Sequence, residues 1–186
     1  MNILGIIASS TLVAAGDFES IATVSVGGGG AANVEFTSIP ATYTHLQIRG
    51  IGRVSESANQ TYLEVVINSD TGSNYAYHLL QGDGSGVAAG VLTSQTLTYV
   101  RTVAGSTAGS NIFGAILLDI LDYTNTNKYK TLRNLGGSDN NGNGNINLTS
   151  SLWRNTAAIT SIKFTPLSSA TFNQYSQFAL YGIRSA

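Results

Sequence analysis

An all-β chain, folded as an antiparallel two-sheet β-sandwich of jelly-roll type behind an extended N-terminal arm, is the fold class that three observations predict. Short segments rich in β-branched and aromatic residues recur along the chain with a period of two. Clusters of Gly, Asn, Asp, Ser and Thr separate them, and Gly 21 against Pro 2 suits a chain of many turns. No stretch combines sustained helical periodicity with helix caps, so about ten strands without crossover helices favour a sandwich over a parallel fold. At 186 residues and 19.4 kDa, one domain is expected.

Residues 1–16, "MNILGIIASSTLVAAG", read as an attachment or packing arm. The segment lacks a basic start, and Ser9, Ser10 and Thr11 interrupt its apolar run, which is too short for the roughly 20 apolar residues of a membrane span. Ile3, Leu4, Ile6 and Ile7 are more apolar than a solvated tail, so they are expected to bury against a partner.

The single domain is placed at 17–186. "SIATVSV", the "GGGG" at 27–30 and "ANVEFTSI" form a hairpin-like start. "THLQIRGIGRV" sets Leu46, Ile48 and Val54 on one face and Gln47, Arg49 and Arg53 on the other, the alternation of a half-buried strand. "YLEVVINS", "YAYHLLQG", "TLTYVRTV", "YKTLRNLG", "INLTSSLW", "ITSIKFTP" and "QFALYGIR" continue the pattern. "NIFGAILLDIL" reads as a central strand buried on both faces. "QGDGSGVAAG" and "VAGSTAGSN" read as loops between strands.

Charge is scarce, at 10% of residues where about 25% is typical. A net charge of -1 gives no electrostatic footprint for nucleic acid or an anionic membrane. A surface so weakly charged is poorly protected against association, and a symmetric homo-oligomer, taken as a trimer, is expected. With Cys 0, thiolate chemistry is excluded, and His45 and His78 are the available imidazoles, both inside strand-like patterns that suit packed or cross-strand histidines. Trp153 reads as a core anchor.

Around "DILDYTNTNKYKTLRNLGG", at 119–137, five charged residues gather on one hairpin. Asp119 and Asp122 are a poor glycosidase pair, because residues three apart on a strand point to opposite faces. Asp122 is better read as a turn residue accepting backbone N–H bonds, with Lys128 or Lys130 across the hairpin holding register. The functional alternative is a sugar-binding rim of Tyr123, Asn125, Asn127 and Tyr129, whose rings and amides suit hydroxyl-rich ligands. "DNNGNG" at 139–144 opens like a calcium loop, but Ser150 stands where a bidentate Glu is needed, so no metal and no cofactor is expected. "GGGG" and "GDGSG" lack the Lys-Ser/Thr and helix of a phosphate loop.

"FTSIPATYTHLQIRG", "NYAYHLLQGDGS", "DILDYTNTNKYKTLRNLGG", "SLWRNTAAITSI" and the closing "QFALYGI" together resemble a family of small virion proteins of tailed bacteriophages, cyanophages among them; the opening "LGIIASS" resembles the start of such chains. The resemblance runs over nearly the whole chain from about residue 18. It implies a β-sandwich virion structural protein without enzymatic chemistry: a fibre-like appendage that contacts host surface polysaccharide or, alternatively, a protein decorating the capsid. A stand-alone carbohydrate-binding module is the further alternative. The implied partners are its own copies and other virion proteins, the latter met through the arm.

Overall fold

The computed structural model describes residues 16–185. Ile3, Leu4, Ile6 and Ile7 lie outside the described residues. Twelve strands follow in order: β1 (Phe18–Ser25), β2 (Val34–Phe36), β3 (His45–Gly52), β4 (Gln60–Ile67), β5 (Tyr75–Gly82), β6 (Val87–Gln95), β7 (Thr98–Ala104), β8 (Gly114–Leu121), β9 (Lys130–Asp139), β10 (Gly144–Trp153), β11 (Ile162–Pro166) and β12 (Gln177–Ile183). Among the described residues the one helical piece is a 3₁₀ turn at Leu167–Ser169.

Eight strands form one antiparallel sheet, ordered β1-β12-β3-β8-β9-β10-β5-β6, and four form the other, ordered β2-β11-β4-β7. The pairings are nested. β1 pairs with β12, β2 with β11, β3 with β8 and β4 with β7, so the chain is one long antiparallel ribbon wound over itself. That winding is the double Greek key of a jelly roll, with β1-β12-β3-β8 facing β2-β11-β4-β7. The hairpins β5–β6 and β9–β10 are insertions into this plan, and they extend the large sheet beyond β8 as a wing.

The core lies between the sheets, where period-two patterning delivers alternate side chains inward. Leu46, Ile48, Ile116, Leu118, Ile120 and Leu180 from the large sheet meet Val34, Phe36, Leu63, Val65, Ile67 and Ile162 from the small one. The Phe178 ring bridges them, its centroid 5.4 Å from that of Phe164 and 5.3 Å from that of Phe172. Each such side chain contributes roughly 1.5–3 kcal/mol when fully buried.

Three expectations change. The glycines at 27–30 do not join a hairpin: β1 and β2 belong to different sheets, and the loop carries the chain across the sandwich edge. Gly30 has φ +70, and a Cβ there would stand 2.8 Å from the Phe172 carbonyl, so the crossing needs glycine. β8 is central as expected but is buried on one face only; Ala115 and Leu121 point away from the small sheet and are exposed, because among the described residues no second layer covers that side. β6 is a strand where a loop was expected. It is the edge strand of the wing and exposes most of its residues on both faces, so no apolar alternation marks it.

Trp153 ends β10 fully buried, and its indole N–H donates to Asp70 Oδ2 at 2.8 Å. Burial alone would raise the Asp70 carboxyl, but hydrogen bonds from Trp153, Asn74 and the Gly72 amide outweigh it and hold the group below the usual carboxylate range. The folded value therefore lies under the unfolded one of about 3.9, so the stabilisation is present above that pH and is lost as pH falls through the lowered folded value. Melting followed by fluorescence of the lone tryptophan is expected to show the transition temperature dropping in acid. Asp70→Asn is expected to melt lower at neutral pH and to lose less on acidification; parallel pH profiles for the two proteins would rule out this coupling.

Candidate functional site

The strand directions divide the loops between two ends. Gly16 and Ser185 lie side by side at one, where Arg184 Nη1 donates to the Gly16 carbonyl at 2.9 Å and the Ser185 N–H to Thr44 Oγ1 at 3.2 Å. The loops around residues 37–44, 68–74, 122–129 and 154–161 share this terminal end. The loops around 27–33, 53–59, 83–86, 105–113, 140–143 and 167–176 crowd the opposite, far end.

The charged hairpin, and the rim expected on it, belong to the terminal end. Asp122, at φ 48, sits just past β8 in a left-handed turn. Its carboxylate takes the Lys128 ammonium rather than the backbone N–H groups expected of it, and that ion pair, with His45 beside it, holds the carboxyl below its ordinary value. The Asp122 N–H donates instead to His45 Nδ1 at 3.0 Å, so this imidazole nitrogen is an acceptor that anchors the turn. His78 is an exposed cross-strand residue between Ser150 and Val91. Asp119 accepts from Gln47 Nε2 at 2.8 Å, which ties β8 to β3, and it stands opposite Arg133 in register.

Lys130 was the less predictable member. Its side chain is fully buried and its ammonium donates to the carbonyls of Asn125, Lys128 and Thr156. Burial lowers its pKa, offset in part by Asp122. The rim is correspondingly incomplete. Tyr123 is fully buried, with its hydroxyl donating to the Pro40 carbonyl, and offers no ring face to a ligand. Asn125 spends its Oδ1 on the Asn127 N–H at 2.8 Å, leaving Asn127 and the exposed Tyr129 as the solvent-facing members. Tyr123 was misread because the turn folds back under the sheet, where an aromatic residue fills the core.

A better site stands at the far end. A cleft of about 550 Å³ is lined by the glycine loop at Gly28–Gly30 and the adjoining Thr171–Tyr175 segment, together with Ser110, Asn111 and Phe113. Arg53 builds it. Its guanidinium donates to the carbonyls of Ser106, Ala108, Gly109 and Ile112 at 2.9–3.2 Å, which pins the 105–113 loop. Its backbone N–H donates to Ser176 Oγ at 3.0 Å, and its carbonyl accepts the Asn173 N–H at 2.8 Å. Tyr175 rises beside the cleft 74% exposed. Its φ of 72 is rare for an aromatic residue, and strain of this kind collects at functional positions. Asn111, at φ 65, also lines the cleft. The lining offers amides, hydroxyls and an exposed ring, and it contains no carboxylate and no imidazole. Such a lining has the chemistry that suits hydroxyl-rich ligands, hydrogen bonding from amides and hydroxyls and stacking on a ring. The sequence signal for it was "TFNQYSQ", an aromatic–amide run that strand patterning leaves without a role.

A second far-end cleft, about 980 Å³, lies under the wing between the 83–86 and 139–144 turns. Its carboxylates are turned into their own loops. Asp83 Oδ1 accepts the N–H groups of Ser85 and Gly86 at 2.9 and 2.8 Å, and Asp139 Oδ1 accepts that of Asn141 at 2.8 Å. The calcium-like "DNNGNG" is thus a β-turn. Asn140 ties this turn to two other loops, its Nδ2 donating to Asn59 Oδ1 and its Oδ1 accepting the Gly109 N–H. Among the described residues no group of three or more His, Cys, Asp or Glu is placed to hold a metal.

No protein-family model, curated protein or solved structure matches the chain.

Lys130 gives the sharpest test of the terminal end. Lys130→Met keeps the aliphatic stem but strands three carbonyls, so a loss of about 2–4 kcal/mol is expected in urea unfolding. A change below about 0.5 kcal/mol, the scale of a surface substitution, would mean that the carbonyls find other partners.

Proposed function

We propose that the chain is a non-enzymatic structural protein of a tailed-bacteriophage virion, a fibre-like appendage module held at its terminal end and presenting its far-end cleft to host-surface polysaccharide. One observation carries this reading: the described chain begins and ends together at one pole, and the polar cleft with its exposed Tyr175 occupies the other. A module so polarised engages its assembly and its ligand at once without competition between them. The described chain begins at this pole with Gly16, and the apolar Ile3, Leu4, Ile6 and Ile7 that precede it in the sequence are the proposed anchor to other virion proteins. The sequence resemblance to phage virion proteins and the near-neutral, amide- and hydroxyl-rich surface support the same reading.

The ligand is expected to be a neutral or weakly charged glycan. Stacking on Tyr175 and hydrogen bonds to Asn111, Asn173 and Gln174 need no charge partner, and the Arg53 guanidinium is already committed to backbone carbonyls. In the capsid-decorating alternative, the exposed aliphatic outer face of the wing would lie on the shell.

Binding of the full chain to a panel of purified bacterial surface polysaccharides tests the proposal. Tyr175→Ala is expected to weaken binding at least about tenfold, since losing a stacking platform costs on the order of 1.4 kcal/mol or more. Its melting temperature should stay unchanged because the side chain is exposed. Tyr129→Ala, at the terminal end, should bind normally. Binding lost in Tyr129→Ala and kept in Tyr175→Ala would reverse the polarity and overturn the reading. Ile6→Asp with Ile7→Asp should leave polysaccharide binding intact and abolish incorporation into particles; incorporation at normal occupancy would remove the arm from the attachment role.

A further inference from the structure

The wing is patterned inside out. On β9 and β10 the inner face holds Lys130, Leu132 and Trp153 near the terminal end, but beyond them it is polar, with Asn134, Ser138, Asn145, Asn147, Thr149 and Ser151 all buried, while Leu135, Ile146 and Leu148 point to solvent. Register aligns the latter. Leu80 of β5 stands opposite Leu148 of β10, Leu148 opposite Leu135 of β9, and Leu135 opposite Leu117 of β8, a ladder of four leucines across four adjacent strands. Three of the four are about half exposed, Leu80 at 50% and Leu135 and Leu148 at 45%, and Ile146 at 59% and Val87 at 78% extend the patch toward the far end. Single exposed aliphatics are ordinary, but a contiguous apolar sheet face marks an interaction surface.

We infer that this outer face of the large sheet stacks on the same face of a second copy of the chain, leucine ladder against leucine ladder, about a two-fold axis. Three observations select that occupant. The first is area: six strands from β3 to β6, at about 4.8 Å spacing and about 3.3 Å per residue, offer a face of roughly 29 by 23 Å, about 650 Å² per copy. Two copies then bury about 1,300 Å², inside the range of specific interfaces. The second is that charge is sparse: between β8 and β6, away from the rim, Asp119 and Arg133 stand opposite each other in register, and the remaining charge of the face, Arg49 on β3, lies at its margin over the Phe18 and Tyr181 rings. The third is shape. Aliphatic rows on a sheet pack on another sheet at about 10 Å, and an isologous contact supplies the matching rows by symmetry.

The inference stands apart from the cleft reading, since neither Tyr175 nor the arm takes part. Sedimentation of the full chain at micromolar concentration is expected to show a dimer. Leu135→Glu with Leu148→Glu places four carboxylates in the contact and is expected to weaken dimerisation at least about a hundredfold. Both side chains point outward, so the variant's far-UV spectrum and melting should match those of the parent monomer. With Cys 0 in the chain, Ser150→Cys provides a unique spin-label site on the exposed face, and a label-to-label distance under about 30 Å, the width of the face, is expected. A monomer at this concentration, a trimer, or a dimer indifferent to the double substitution would each overturn the inference, as would labels farther apart than the face is wide.

Discussion

The close approach of β7 to the large sheet governs the rest of the molecule. β7 is the edge strand of the small sheet, and an edge strand leaves a row of backbone groups unpaired. Here the facing sheet supplies partners. The Arg101 N–H donates to Asn134 Oδ1 at 3.3 Å while Asn134 Nδ2 donates to the Leu117 carbonyl at 3.1 Å, so one amide side chain joins the two sheets. Thr98 and Ser151 share a hydrogen bond at 2.7 Å, and Thr102 donates to Asn145 Oδ1 at 2.6 Å, with Asn147 bonded to both. For these bonds to form the backbones must come near. A Cβ on Gly114 would lie 2.5 Å from the Thr102 carbonyl, and one on Gly136 would collide with that of Arg101. Glycine at 114 and 136 is what admits the contact.

From that approach follows the inverted pattern of the wing. Side chains between β7 and β9–β10 are short and most of them hydrogen-bond, because a buried hydroxyl or amide without a partner costs on the order of 1–3 kcal/mol; Thr149 Oγ1 and Asn147 Oδ1 are the buried atoms of the network left without a protein partner. Leucine and isoleucine are therefore displaced to the outer face, where strand alternation puts whatever the inside refuses. The cohesion of this half of the molecule thus comes from a polar network and from tyrosines around the Arg101 guanidinium, 4.3 Å from the Tyr62 ring centroid, rather than from aliphatic packing. The core half, around Phe164, Phe172 and Phe178, is built in the ordinary sense.

The same division decides what the sequence discloses. Where the sheets enclose apolar residues, alternation and burial coincide, and Leu46, Ile48 and Val54 against Gln47, Arg49 and Arg53 could be assigned to faces from spacing alone. In "GNINLTSSLW" the alternation is equally clear and identifies a strand, but its sense is reversed, and the sequence carries no mark of which face is inner. β6 has no buried face and so no alternation to read. Tyr123 shows the corresponding limit at a turn: ring and hydroxyl fit a sugar rim or a core equally well, and the Pro40 carbonyl, 83 residues away in the chain, decides. The cleft by Tyr175 depends on Arg53 gathering four carbonyls from a distant loop, a contact with no local signature.

Nested pairing also explains why the two poles differ. In a wound ribbon, the first and last strands are neighbours, so both ends of the described chain are delivered to one pole and tied there: Glu19 accepts the Arg184 guanidinium at 2.9 Å and the Tyr43 hydroxyl at 2.8 Å, and its carboxyl is lowered by the Arg184 bond first and the Tyr43 bond second. At that pole Lys130, Asp122 and His45 are likewise turned onto backbone or onto each other. The far pole receives loops from both sheets and from both inserted hairpins, and Arg53 and Asn140 fix them by gripping backbone rather than by filling the space between. A rigid opening with amide walls is the consequence of holding loops by their carbonyls. The outer face of the wing is a third surface, running along the strands and separate from the loops of both poles.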